Sequence, residues 1–166
     1  MANVDNRDEN SPTRYGANQQ GIRERNERLA LTLLRRSPGL AQAELARRSG
    51  LSAQTVSRLI GALEADGLIL RGDPQRGRVG QPSIPLALNP GGAFFLGLKV
   101  GRRSVELVTT DFLGRIVDRE KRVYDYPAFD DVLGFAQYAI DALVQRLGPK
   151  RAQRLSGLGI AMPFHL

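Results

Sequence analysis

Residues 44–60 read ELARRSGLSAQTVSRLI. Ser49-Gly50 separates two runs of helix-forming residues, and after Glu44 every charge in the stretch is an arginine: Arg47, Arg48 and Arg58. Glycine can take the left-handed conformation that a sharp turn between helices needs. Ser52 is a good N-cap residue, so a helix is predicted from Ser52 to about Asp66, stopping at Gly67. Within it Val56, Leu59, Ile60 and Leu63 recur at i, i+3, i+4 and i+7, the spacing of a core-facing stripe. Gln54, Ser57, Arg58 and Gly61 fall on the opposite face. A glycine inside a helix costs about 1 kcal/mol relative to alanine, so Gly61 hints that something approaches the backbone there.

Working outward, a helix is predicted over about Arg23 to Arg36, with Leu29, Ala30, Leu33 and Leu34 on one face. Ser37-Pro38-Gly39 ends it. A short helix follows over about Ala41 to Arg48, offering Ala43, Leu45 and Ala46 as apolar contacts. Downstream, apolar runs at Leu68–Leu70 and Ile84–Leu88 flank a glycine-rich loop and read as two strands. Pro82 and Pro85 are expected to hold part of the second strand at a sheet edge. Helix, sharp turn, capped helix and two-stranded loop together make a winged helix-turn-helix.

The charges fit that pattern. Between Glu44 and Glu64 the only charged residues are Arg47, Arg48 and Arg58; between Asp73 and Glu106 they are Arg76, Arg78, Lys99, Arg102 and Arg103. An acid-free basic surface suits a phosphate backbone, because each cation placed there releases counterions. Gln54, Ser57 and Arg58 are the candidates for base-edge contact, since Gln and Arg can bond adenine and guanine in bidentate fashion. Ser52, Thr55, Arg47 and Arg48 are candidates for the DNA backbone. Arg76, Arg78 and Gln81 are candidates in the wing.

Composition bounds the alternatives. The chain has 166 residues, 42% of them apolar, and a formal net charge of +7. With no cysteine, disulfides, thiolate zinc sites and cysteine nucleophiles are excluded. The one histidine, His165, reads as a solvated side chain. Residues Met1 to Gly21 are polar and lack periodicity, so a disordered tail is expected over 1–21. No apolar core of a signal peptide and no membrane-spanning run is visible; a cytoplasmic protein with no membrane partner is the expectation.

Asn89-Pro90-Gly91-Gly92 is the best boundary, dividing a DNA-binding unit at 22–90 from a second unit at 91–166. In the second, AFFLGLKV and SVELVTTD read as strands joined near Gly101. A third strand runs to about Tyr124, and its charged middle, DREKR, suits a sheet edge. A helix is predicted over about Asp130 to Leu147, with Val132, Leu133, Ala136, Ala139, Ile140, Leu143 and Leu147 as its stripe and Gly148-Pro149 as its end. RLSGLGIAMP reads as a fourth strand, in which Leu158, Ile160 and Met162 have at most one covered face.

On these residues the chain resembles the ROK family of transcriptional regulators, over about Asn26 to Pro163. ELARRSGLSAQTVSRLIGALEADGLI looks like the family's DNA-reading segment. GRVGQPSIPLALNPGGAFFLGLKVGRRSVELVTTDFLGRIV looks like its wing, hinge and first hairpin, and GLGIAMP like the strand before its sugar-binding loop. The resemblance implies an α+β chain: an N-terminal winged helix-turn-helix, then part of an actin-like, ribonuclease-H-like α/β domain of the sugar-kinase type. It implies a sequence-specific regulator, a repressor of sugar-metabolism genes, bound as a homodimer to a palindromic operator in double-stranded DNA. It also implies a sugar effector.

The departures from the family shape further expectations. Kinase members carry an acid and a Gly-Gly-Thr-like turn in the first hairpin; here Lys99, Arg102 and Arg103 stand in that segment. Lysine cannot ligate Mg²⁺, which takes oxygen ligands, so no catalytic residue, metal site or cofactor is expected. The family's remaining sugar-kinase motifs would lie beyond Leu166. The chain therefore reads as a truncated member, with weak or absent response to sugars. Ala41 and Gln42 stand where the family often has a Ser/Thr cap and a base-contacting arginine. The rival readings are an inactive remnant and a degenerate sugar kinase.

Overall fold

A computed structural model describes residues 13–74 and 83–163 of the chain. The first element, α1, spans Thr13–Arg36, so the expected tail is corrected: a helix begins well before Gly21. Polar composition without periodicity does not forbid a helix whose faces are solvated and braced by pairs one turn apart. Gln20 Nε2 donates to Glu24 at 3.1 Å, and Arg23 Nε to Glu27 at 2.8 Å. Residues 1–12 of the expected tail lie outside the described residues.

A two-residue strand, β1 (Leu40–Ala41), then leads into α2 (Gln42–Ser49), α3 (Ala53–Ala65), β2 (Ile69–Arg71) and β3 (Pro85–Leu88). The sequence offered no sign of β1. It places β3 in the middle of a three-stranded antiparallel sheet in the order β1-β3-β2, with Leu40 opposite Leu86 and Ile69 opposite Leu88. The expectation that proline keeps this strand at an edge is corrected. Pro85 is its first residue, a position where the missing N–H is tolerated, and its carbonyl still accepts from Gly72 N at 2.8 Å. Pro82 lies outside the described residues.

Leu34, Leu45, Val56, Ile60, Leu63, Ile69 and Leu86 form the centre of a first core. All four residues of the α3 stripe are buried in it. Two expected contributors are not: Leu29 is exposed on α1, which packs along Ala30 and Leu34, and Ala43 is exposed on α2, which packs through Leu45 and Ala46.

A 3₁₀ turn, Pro90–Gly92, leads into β4 (Phe94–Val100), β5 (Ser104–Asp111) and β6 (Ile116–Val123). These are followed by α4 (Phe129–Leu147), α5 (Pro149–Ala152) and β7 (Leu155–Ala161). Proline 149 thus opens a further short helical turn, as proline can at a first helical position. The sheet order is β6-β5-β4-β7, antiparallel except that β7 runs parallel to β4. Leu96, Leu98, Val100, Val105 and Leu107 pack against Phe135, Ala136, Ala139 and Leu143 of α4 in a second core. The predicted stripe of α4 is corrected at two positions: Phe135, not foreseen, is 2% exposed, whereas Leu133 is 45% exposed. The helix is rotated so that Phe135 faces the sheet and Leu133 faces away.

Both outer strands are marked as edges. On β6, Asp118 and Glu120 are held by Arg146 of α4 at 2.6 and 2.8 Å. On β7, Leu158 and Ile160 are exposed by 45% and 64%, and Met162, just past the strand, by 61%. The second half meets the first core at the β5–β6 turn, whose Phe112 and Leu113 pack against it.

Candidate nucleic-acid interface

The turn between α2 and α3 is set by one torsion. Gly50 has φ +69°, and a Cβ there would meet nothing within 4 Å. Glycine is required by the left-handed backbone, not by lack of space. Ser49 Oγ donates to the Ala46 carbonyl at 3.2 Å and accepts from Leu51 N at 3.4 Å. Helix α3 then starts on Ser52, whose Oγ accepts from Thr55 N at 3.1 Å and lies 2.8 Å from Thr55 Oγ1. By contrast α2 starts on Ala41 with no side-chain cap.

With Val56, Leu59, Ile60 and Leu63 turned inward, Gln54, Ser57, Arg58 and Gly61 are all exposed. The three base-edge candidates therefore share one free face of a single helix. A Cβ on Gly61 would meet nothing within 4 Å, so among the described residues none makes the close approach that the sequence hinted at. Thr55 is half-buried on one flank, where the N-terminal half of α1 stands beside α3. Between them runs a groove of about 400 Å³, with Ile22, Arg23 and Glu27 on one wall and Thr55, Arg58 and Leu59 on the other. The nearness of α1 to Arg58 is not legible in sequence: Arg23 and Glu27 fall in the predicted helix, but helical periodicity does not say which neighbour a polar face lies beside.

The other two backbone candidates, Arg47 and Arg48, both pair with Glu44. Arg47 Nε and Nη2 lie 2.8 and 2.7 Å from the Glu44 carboxylate, and Arg48 Nε lies 2.5 Å from it. Arg48 Nη1 also donates to Ser37 Oγ at 3.2 Å. Hydrogen bonds from Arg47 and then Arg48 hold the Glu44 carboxyl down to about 2, and the same pairing raises Arg47. Two cations share one anion at the end of α2, so the local charge is smaller than the sequence count suggests. Arg76, Arg78 and Gln81 lie outside the described residues.

The base of the wing closes onto the C-terminus of α3. The last carbonyls of a helix have no intrahelical partner. Here Asp66 O accepts from Arg154 Nη1 at 3.1 Å, Gly67 O from Asn89 Nδ2 at 2.8 Å, and Leu68 O from Asn89 N at 2.9 Å. In the sequence Asn89 marks only a boundary, and Arg154 stands out in no way, since a contact across 88 residues of chain leaves no local signal. Lys99, Arg102 and Arg103 are exposed at the far end of the β4–β5 hairpin. Among the described residues there is no group of three or more acids and histidines able to hold a metal, and no helix long and apolar enough to cross a membrane.

Comparison with known proteins agrees with this geometry. Residues 24–78 match the model of the MarR family. Over 138 residues the chain is 31% identical to the uncharacterized protein y4fQ of Sinorhizobium fredii, covering 83% of this chain and 35% of that one. It is 32% identical over 110 residues to a Mycobacterium bovis protein named as a transcriptional regulator, covering 65% of this chain and 25% of that one. The chain thus spans about a third or less of the length of these relatives. Its fold is similar to a crystal structure of a ROK family transcriptional regulator, described as a homolog of the E. coli MLC protein. The TM-score there is 0.64 and the identity 22%, over 86% of this chain and 36% of that one. The N-terminal part has a winged-helix fold, similar in sequence to the MarR family, and it is joined to a mixed α/β sheet.

Proposed function

We propose that the chain is the DNA-reading part of a sequence-specific transcriptional regulator of ROK type, acting as a repressor of sugar-metabolism genes. The observation that carries this reading is the exposed face of α3. Gln54, Ser57, Arg58 and Gly61 lie together on a capped helix whose opposite side is fully buried. Such a helix can enter a major groove without disturbing the core, and its residues match the donor and acceptor patterns of purine edges. Ser52, Thr55, Arg47 and Arg48 would anchor the phosphates, while Arg76, Arg78 and Gln81 would serve in the wing.

In this reading residues 22–90 form the DNA-binding domain and 91–166 the start of an actin-like lobe. Three antiparallel strands, a helix and a parallel strand in that order support the second assignment. A homodimer would place two copies of α3 on a palindromic operator. A sugar effector would act through the whole protein's second part. Lys99 offers no oxygen to a Mg²⁺ ion, which supports a regulator over a sugar kinase.

The test is selection of the purified chain against random duplex DNA, followed by affinity measurement across salt concentrations. Enrichment of a palindromic motif, with loss of selectivity in Gln54→Ala and Arg58→Ala, is the expected result. A steep salt slope with no enriched motif would overturn sequence-specific reading.

A further inference from the structure

We propose that Arg154 is a positioning residue for the DNA-reading helix, a latch through which the second half of the chain holds the end of α3. The inference rests on the reading of α3 given above and adds to it a means of control.

Arg154 sits one residue before β7, where that strand joins the sheet: its carbonyl accepts from Phe94 N at 2.9 Å. Its side chain points the other way. Nη1 donates both to Asp66 O, the C-cap of α3, at 3.1 Å and to Gly92 O, in the 3₁₀ turn, at 3.0 Å. A positive group at a helix C-terminus also meets the favourable end of the helix dipole. The approach is built for this side chain. Gly67 has φ +71°, and a Cβ there would lie 2.8 Å from Arg154 Nη2. Gly92 is packed as closely, since its Cβ would lie 3.0 Å from Gly67 O and 3.1 Å from Leu68 Cα. Two glycines therefore let the guanidinium and the 3₁₀ turn rest directly on the backbone that follows α3.

The consequence is mechanical. Asp66 O and Phe94 N are tied to the side chain and the backbone of the same residue. A displacement of the start of β7 relative to β4 must stretch the bond to the end of α3. Asn89 holds Gly67 and Leu68 from the wing side, whereas Arg154 ties the C-cap carbonyl of α3 by a side-chain hydrogen bond to the start of β7, beside the apolar contact that Phe112 and Leu113 make with the first core. A ligand or partner that shifts β7 would alter DNA affinity by this route, to the extent that it favours one arrangement over the other.

The experiment uses the full chain with Arg154→Met, which keeps the stem but not the donors, and Arg154→Lys, which restores a donor. Amide hydrogen exchange is read at Asp66, Gly67 and Leu68, and affinity is read on the selected DNA site. Arg154→Met is expected to speed exchange at those amides by roughly 3- to 10-fold, in line with one net hydrogen bond, while exchange elsewhere in the first core is unchanged. Specific affinity should fall by a similar or smaller factor with an unchanged salt slope, and Arg154→Lys should recover part of both effects. Unchanged exchange at Asp66–Leu68 would overturn the latch. So would an equal loss on all DNA sequences with a salt slope reduced by about one, which would mark a direct phosphate contact. If the parent chain selects no DNA sequence, the reading of α3 fails, and the exchange measurement still decides whether Arg154 holds the helix end.

Discussion

The side-chain amide of Asn89 bridges the wing and the DNA-reading helix: Nδ2 donates to Gly67 O at 2.8 Å while Oδ1 accepts from Gly91 N at 3.1 Å. One residue thereby satisfies the backbone just beyond α3 and shapes the 3₁₀ turn that starts the second half. Asn89→Ala removes both bonds and leaves a half-buried carbonyl unpartnered. It should cost about 1–2 kcal/mol, measured by urea unfolding. Asn89→Asp keeps the acceptor for Gly91 N but sets a carboxylate oxygen against the Gly67 carbonyl, so it should not recover the loss; equal stability of all three proteins would contradict the role.

Gly61 separates folding from binding. It lies on the exposed face of α3, with a backbone that alanine adopts freely and with open space around its Cβ position. Gly61→Ala should stabilise the chain by about 0.5–1 kcal/mol. The same methyl group projects from the face proposed to meet DNA, so affinity should drop as stability rises. A rise in both would mean that the groove does not approach this turn of α3.

Glu44 limits the positive charge at the end of α2. Glu44→Gln should leave Arg47 and Arg48 uncompensated, strengthen DNA binding at low salt and steepen the salt dependence by about one phosphate-equivalent. An unchanged slope would place these arginines away from the backbone. The pH dependence follows in sign. The Glu44 carboxyl is lowered in the folded chain from 4.5 to about 2, so its contribution to stability is complete above pH 4.5. That contribution is lost as pH falls toward about 2. Titration of the parent and Glu44→Gln proteins by thermal melting should therefore show curves that are parallel above pH 5 and converge in acid.

Phe135 anchors the second core. It is 2% exposed, and the Arg122 guanidinium lies 5.2 Å from its ring centre. Phe135→Ala should cost about 3–5 kcal/mol by urea unfolding. Leu133→Ala, at a 45% exposed position on the same helix, should cost much less. Similar losses would mean that the apolar stripe is centred as its periodicity alone suggested.

Local sequence rules reached furthest where structure is decided within one or two helical turns. The cap at Ser52, the left-handed Gly50, the stop at Gly67 and the buried stripe of α3 all depend on neighbours in sequence. So does the exposure of Gln54, Ser57 and Arg58, since a helix that buries one face must offer the other. The strand and helix order of the second half was legible for the same reason, from alternation and helical spacing.

Tertiary structure decided what depends on distant partners. The early start of α1 falls in a polar stretch that leaves no apolar pattern. The central place of β3 depends on the two residues of β1, and the burial of Phe135 on which side of α4 meets the sheet. Arg47 and Arg48 were legible as cations, but their sharing of Glu44 is a matter of side-chain geometry. The hold on α3 by Asn89 and Arg154 joins residues 22 and 88 positions apart. Periodicity describes which face of an element is buried; only the folded chain brings together donors and acceptors that far apart, because their pairing follows from packing and not from local backbone preference.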